Sequence, residues 1–142
     1  MKETWYIPCN ISFCDVISII EKNGEVAWRR GALIHKDDIA YIYVGSPIGE
    51  MKYKCIVIDE DLSPEIMESH QYARRIDDKS NQKYMMLKAI HKFSKGELPL
   101  VTLKKHGLTQ VQRQARINVE LQDYLDCIIS GVSDTKTVEK DH

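Results

Sequence analysis

The run Ile39-Ala40-Tyr41-Ile42-Tyr43-Val44 is apolar or aromatic at every position, so the strand it predicts must be covered on both faces. Such a strand is central. Gly45-Ser46-Pro47-Ile48-Gly49 follows as turn chemistry, and Met51 to Asp59 reads as the antiparallel return. In that return strand Met51, Tyr53, Cys55 and Val57 alternate with Lys52, Lys54, Ile56 and Ile58. A chain of 142 residues suits one domain and excludes two tandem enzymatic ones, and 43% hydrophobic residues suffice for a core.

The flanking sequence supplies further elements. Thr4 to Ile11 mixes aromatic and β-branched residues and reads as a first strand, with Pro8 marking an edge or a strand end. Asp15 is a helix start, Phe13, Val16, Ile17 and Ile20 recur at helical spacing, and Asn23-Gly24 closes the segment. Glu25-Val26-Ala27-Trp28 then leads to Arg29-Arg30-Gly31 without a period that names an element. Acids, Ser, Pro and Asn dominate from Glu60 to Gln82, predicting a long loop with one helical turn after Ser63-Pro64. Lys83 to Phe93 reads as a strand, and Leu98 to His106 as a short helix closed by Gly107. Asn118 to Ile129 is a final helix with Asn118 as its cap. Residues 1–129 are therefore expected to form one domain, and 130–142 a polar disordered tail.

The formal net charge of −1 conceals three unequal stretches. From Met1 to Gln82 there are 10 Lys+Arg against 14 Asp+Glu, from Lys83 to Ile117 8 against 1, and from Asn118 to His142 2 against 6. A basic block of that kind concentrates polyanions if its side chains share a face, and is otherwise a solvated Lys-rich surface. Cys9, Cys14, Cys55 and Cys127 form no CxxC pair and have no His at ligand spacing, so neither zinc nor a disulfide framework is expected, and no cofactor is called for. No apolar run approaches the roughly 18 residues that span a bilayer, and the N-terminus has no signal-peptide pattern, so the expectation is a cytoplasmic protein without a membrane partner.

Trp5-Tyr6-Ile7-Pro8-Cys9-Asn10, then Trp28, Asp38 to Pro47, Lys52-Tyr53-Lys54-Cys55, and Gly107-Leu108 followed by Val111-Gln112 together resemble the EVE-type members of the PUA-like superfamily, relatives of the YTH and ASCH domains. The similarity runs from about Met1 to Ile129. It implies an α+β fold: a PUA-like mixed β-barrel with short flanking helices, whose mouth holds a nucleobase, often a modified one. On the matching positions it implies that Trp28 is the slab on which the base stacks and Asn10 the polar group at the base edge, with Tyr43 and Ser46 beside them. Two departures stand out: the turn before the central strand is Asp37-Asp38, and Gln112-Arg113-Gln114-Ala115-Arg116-Ile117 lacks the terminal Asn of the relatives.

The chemistry suits those residue types. A splayed base has flat apolar faces and a polar edge, which an aromatic ring and an amide or hydroxyl satisfy. Lys104, Lys105, Arg113 and Arg116 are the candidate phosphate contacts, adding affinity without sequence information. Plainer roles stand beside these: Trp28 as a core anchor, Asn10 as a turn or cap residue, Tyr41 and Tyr43 as packing groups on one face, Arg29 and Arg30 as surface charges. The leading expectation is a non-enzymatic reader of a modified base, a methylated cytosine or adenine, in nucleic acid, DNA rather than RNA. Resemblance alone adds a role in modification-dependent restriction, with a partner nuclease. The alternatives are a small-molecule or nucleotide-binding enzyme using Cys9, Tyr43 or His91 in the same cavity, and an interaction module presenting the final helix.

Overall fold

A computed structural model of the chain describes residues 2–11, 15–62 and 83–131. Phe13, Cys14, the turn expected after Ser63-Pro64 and the tail from 132 onward lie outside the described residues. Among the described residues, six strands, β1 (Thr4–Cys9), β2 (Glu25–Arg29), β3 (Ile39–Val44), β4 (Glu50–Asp59), β5 (Tyr84–Lys92) and β6 (Ala115–Arg116), and helices α1 (Val16–Asn23), α2 (Leu100–Lys105) and α3 (Val119–Ser130) follow in the order β1-α1-β2-β3-β4-β5-α2-β6-α3.

The strands form one sheet in the order β2-β5-β4-β3-β1-β6. The central strand behaves as its composition demands. Ala40, Ile42 and Val44 enter one apolar cluster with Trp5, Ile7, Val57 and Leu87, covered by Val16, Ile19 and Ile20 of α1. Tyr41 and Tyr43 enter a second cluster with Tyr6, Phe93 and Leu103, covered by Leu121 and Leu125 of α3. Helices therefore pack on both faces, as a doubly apolar strand requires.

Local chemistry sets the helix ends. The Asp15 carboxylate accepts the Ser18 N–H at 3.2 Å, and Gly24, at φ 79, lets the chain leave α1 through a left-handed residue. Asn118 accepts the Leu121 N–H at 2.9 Å and donates to the Gly107 carbonyl at 2.7 Å, tying the start of α3 to the turn after α2. α3 extends through Ser130 to Gly131.

β1 runs parallel to β3, from Thr4 opposite Ile39 to Cys9 opposite Val44. Asp38 locks the start of this pair. Its carboxylate is 2% exposed and accepts N–H groups from Glu3 at 3.0 Å, from the Trp5 indole at 2.9 Å and from His35 at 2.9 Å. Burial pushes the Asp38 carboxyl upward, but those donors outweigh it and hold the group below the usual carboxylate range.

Two expectations are corrected and one strand is added. The sheet is not a closed barrel, because β6 is two residues long, pairs only with Trp5 and Tyr6 of β1, and offers β2 no ladder. The alternation of β4 breaks at Lys52: Ile42 faces Tyr53 but Tyr43 faces Met51, so this bulge turns Met51 into the second cluster while Tyr53 stays in the first. Residues 25–29, which no period marked, are a strand paired with β5, Trp28 opposite Met85.

Candidate nucleic-acid interface

The ends of β1, β2 and β3 meet at a cleft of about 1130 Å³. It is lined by Pro8, Cys9 and Asn10 from the end of β1, Trp28, Arg29 and Gly31 from the end of β2, Tyr43, Gly45 and Ser46 from the end of β3, Leu100 of α2 and residues 110–115. Pro8 lies beyond the reach of β6, where β1 is paired on one side only, so a residue lacking an N–H is accommodated. The Gly45 N–H donates to the Cys9 carbonyl at 2.9 Å and carries the parallel pairing into the cleft.

The structure brings Asn10, Trp28, Tyr43, Ser46 and Arg113 together on this one cleft. Trp28 has two roles at once. It is 7% exposed and packed in the first apolar cluster, yet it forms part of the cleft wall. Tyr43, 5% exposed, approaches from the second cluster, and burial raises its phenol above the ordinary value, keeping it a neutral hydroxyl. Its ring lies 5.9 Å from that of Tyr6, whose hydroxyl donates to the Val111 carbonyl at 2.8 Å and so anchors the segment 110–115. Asn10 and Ser46 are exposed at the mouth.

The other basic candidates lie elsewhere. Arg116 stands over the Trp5 ring at 5.6 Å and 3.8 Å from the Glu3 carboxylate, outside the cleft lining. Lys104 and Lys105 are exposed in the last turn of α2, whose first residue, Leu100, is the one that touches the cleft. His91 is in edge contact with Phe93 at 4.7 Å, on β5 opposite Lys54, and does not line the cleft with Cys9 and Tyr43. Sequence reasoning missed Arg29, which the cleft includes, and Gln114, whose side chain spans from the segment 110–115 to the end of β2. Neither carries a local signal; only the meeting of β2 with residues 110–115 gives them a role. No Asp or Glu is among the described residues lining the cleft, while two arginines are. Among the described residues no group of three His, Cys, Asp or Glu could hold a metal ion, and no helix is long and apolar enough to cross a membrane.

This fold, a mixed sheet with helices on both faces and a cleft at the strand ends, is similar to that of solved structures that include an ASCH protein. The ASCH protein of Zymomonas mobilis, solved as a mutant, is 13% identical with a TM-score of 0.60, over 89% of this chain and 96% of that one. The same protein without that substitution gives 13% identity and a TM-score of 0.57, over 89% and 95%. Rpa0253 of Rhodopseudomonas palustris is 14% identical with a TM-score of 0.60, over 93% of this chain and 95% of that one. No protein-family model and no curated protein matches the sequence. At these identities the likeness is one of fold, shared with an ASCH protein where an EVE-type one was expected.

Proposed function

We propose that this chain binds nucleic acid by admitting one base into the cleft between β1, β2 and β3. The observation that carries this reading is convergence: an indole, a phenol, a carboxamide and a hydroxyl, from three separate segments, border one cleft that also holds Arg29 and Arg113 and no carboxylate among its described lining. The rings offer apolar walls, Asn10 and Ser46 offer donors and acceptors for a base edge, and the arginines neutralise phosphate. A volume of about 1130 Å³ exceeds what one planar heterocycle fills, which suits a base still attached to sugar and phosphate.

The finer reading is an EVE-type reader of a modified base, methylated cytosine or adenine in DNA, acting with a partner nuclease. The sequence motifs support the subtype, and the aromatic walls suit a methylated ring. A methyl group filling an apolar gap adds only about 0.8 kcal/mol, so preference for it over the unmodified base is several-fold rather than absolute. Lys104 and Lys105, away from the cleft, serve flanking phosphates on a longer strand.

The test is a titration of fluorescent oligonucleotides, methylated and unmethylated, DNA and RNA, against the native protein and Trp28→Phe. A base in the cleft makes binding depend on base identity and lose about tenfold in Trp28→Phe, within the stacking range of about 1–3 kcal/mol. Binding indifferent to base identity and unchanged in Trp28→Phe would falsify the pocket and leave a generic polyanion surface.

A further inference from the structure

We propose, resting on the cleft reading above, that the Gln112 carboxamide reads the edge of the bound base, so that the cleft takes a base whose adjacent donor and acceptor are both intact. Among the described residues four carboxamides line the cleft, and they differ in what they already hold. Gln114 has both ends engaged: its Oε1 accepts the Gly31 N–H at 2.7 Å and its Nε2 donates to the Arg29 carbonyl at 2.9 Å. Gln110 uses its oxygen to accept the Gln112 backbone N–H at 3.3 Å. Asn10 has a partner as well. The Gln112 side chain is exposed at the cleft and makes no hydrogen bond among the described residues. Its oxygen and both amide hydrogens are left for a ligand.

The backbone that carries this open carboxamide is tied on both sides. On one side the Tyr6 hydroxyl donates to the Val111 carbonyl at 2.8 Å, and the Gln112 N–H itself is held by Gln110. On the other, Gln114 is bonded to the end of β2, and Ala115 and Arg116 pair at once with Tyr6 and Trp5 of β1. Between these ties the chain bends at Gln112 and Arg113. A vacant polar group on a fixed support loses little freedom when it binds, which is what a specificity contact needs. Arg113, the next residue, lines the cleft, is exposed and makes no ion pair among the described residues. Consecutive residues therefore supply a group for the base edge and a group for the phosphate.

An amide presents one donor beside one acceptor. Every common base offers the complementary pair, and on a pyrimidine that pair lies on the edge used in base pairing, so a pyrimidine in the cleft is unpaired. A methyl group at C5 leaves the pair intact, whereas one at N3 removes it. A carboxylate at position 112 changes the match, because it accepts twice and donates nothing, and guanine alone has two donors side by side, N1–H and the N2 amino group.

The experiment is a fluorescence-anisotropy titration of single-stranded DNA pentamers, each with one central base flanked by abasic residues, against the native protein, Gln112→Glu, Gln112→Ala and Trp28→Phe. The expected result for the native protein is that thymine binds roughly tenfold more tightly than N3-methylthymine, within the range of one bidentate edge contact. In Gln112→Ala the two bind alike. The added charge in Gln112→Glu repels phosphate equally in every pentamer, so the ratio of guanine to adenine affinity isolates the edge, and it rises roughly tenfold over the native ratio. An unchanged base ranking in Gln112→Glu, or N3-methylthymine bound as tightly as thymine by the native protein, overturns the reading of Gln112. Trp28→Phe separates the two failures: if it weakens binding while the Gln112 variants keep the native ranking, only the role of Gln112 falls, and if it too changes nothing, the cleft reading falls and takes Gln112 with it.

Discussion

Asp38→Asn isolates the lock at the start of the parallel pair, where one buried carboxylate serves three N–H donors. Oδ2 accepts from Trp5 and His35, and Oδ1 from Glu3. An amide keeps its oxygen toward the pair of donors and turns its NH2 toward the Glu3 N–H, losing that bond and weakening the other two from charged to neutral. Bonds to charged acceptors contribute about 1.5–3 kcal/mol and neutral ones about 0.5–1.5, so the gross loss is about 4 kcal/mol. Removing a buried charge returns part of it, leaving about 2–3 kcal/mol, or a drop of roughly 6–10 °C in Tm for a chain of this size. The pH dependence has a definite sign. A carboxyl held below its unfolded value contributes stability that is fully present above about pH 4 and lost as pH falls through the folded value. The variant lacks this titration, so the gap in Tm between native protein and Asp38→Asn stays constant from pH 7 to 5 and narrows below about pH 4. Calorimetric scans of both proteins from pH 7 to 2.5 measure it. A gap that persists undiminished at the acid end, or no gap at neutrality, refutes the reasoning.

Further outcomes follow from the same geometry. Trp28→Ala empties a packed site in the first cluster and lowers stability by about 3–5 kcal/mol, read by urea titration, whereas Trp28→Phe retains most of it. Arg113→Ala lowers the salt slope of oligonucleotide binding by about 0.7–0.9, while Arg116→Ala leaves that slope nearly unchanged and instead weakens the fold by about 0.5–1 kcal/mol through its loss from the Trp5 ring. Burial raises the Cys55 thiol far above the ordinary value, so in site-resolved mass spectrometry Cys55 alkylates only on unfolding and the half-buried Cys127 reacts before it. Labelling of Cys55 in the native state at the rate of Cys127 would contradict that burial.

The elements legible in the sequence are those whose signal is local. Asp15 and Gly24, and Asn118 ahead of α3, cap helices with their own side chains or backbone, and β3 declares its place through apolar residues on both faces. What escaped is defined by partners far along the chain. β6 is a strand only because Trp5 and Tyr6 pair with it, and β2 only because β5 does. The bulge at Lys52 has no glycine to announce it, and it reverses the face of Met51. In the candidate site, Asn10, Trp28, Tyr43 and Ser46, which the resemblance implies, border the same cleft. The lysines of α2 stand out only through charge along the chain, which says nothing about the direction a short helix presents them. Gln114 makes its bonds across 83 and 85 residues, a separation at which no window of sequence carries information.

That separation makes the cleft a joint between chain halves laid down far apart. Part of its lining comes from residues 8–46, and the rest from 100–115. An occupant gripping both acts as a staple, pinning the C-terminal helices to a sheet whose order they do not determine. Occupancy would then register as slowed amide exchange throughout α2 and α3, well beyond any atom it touches.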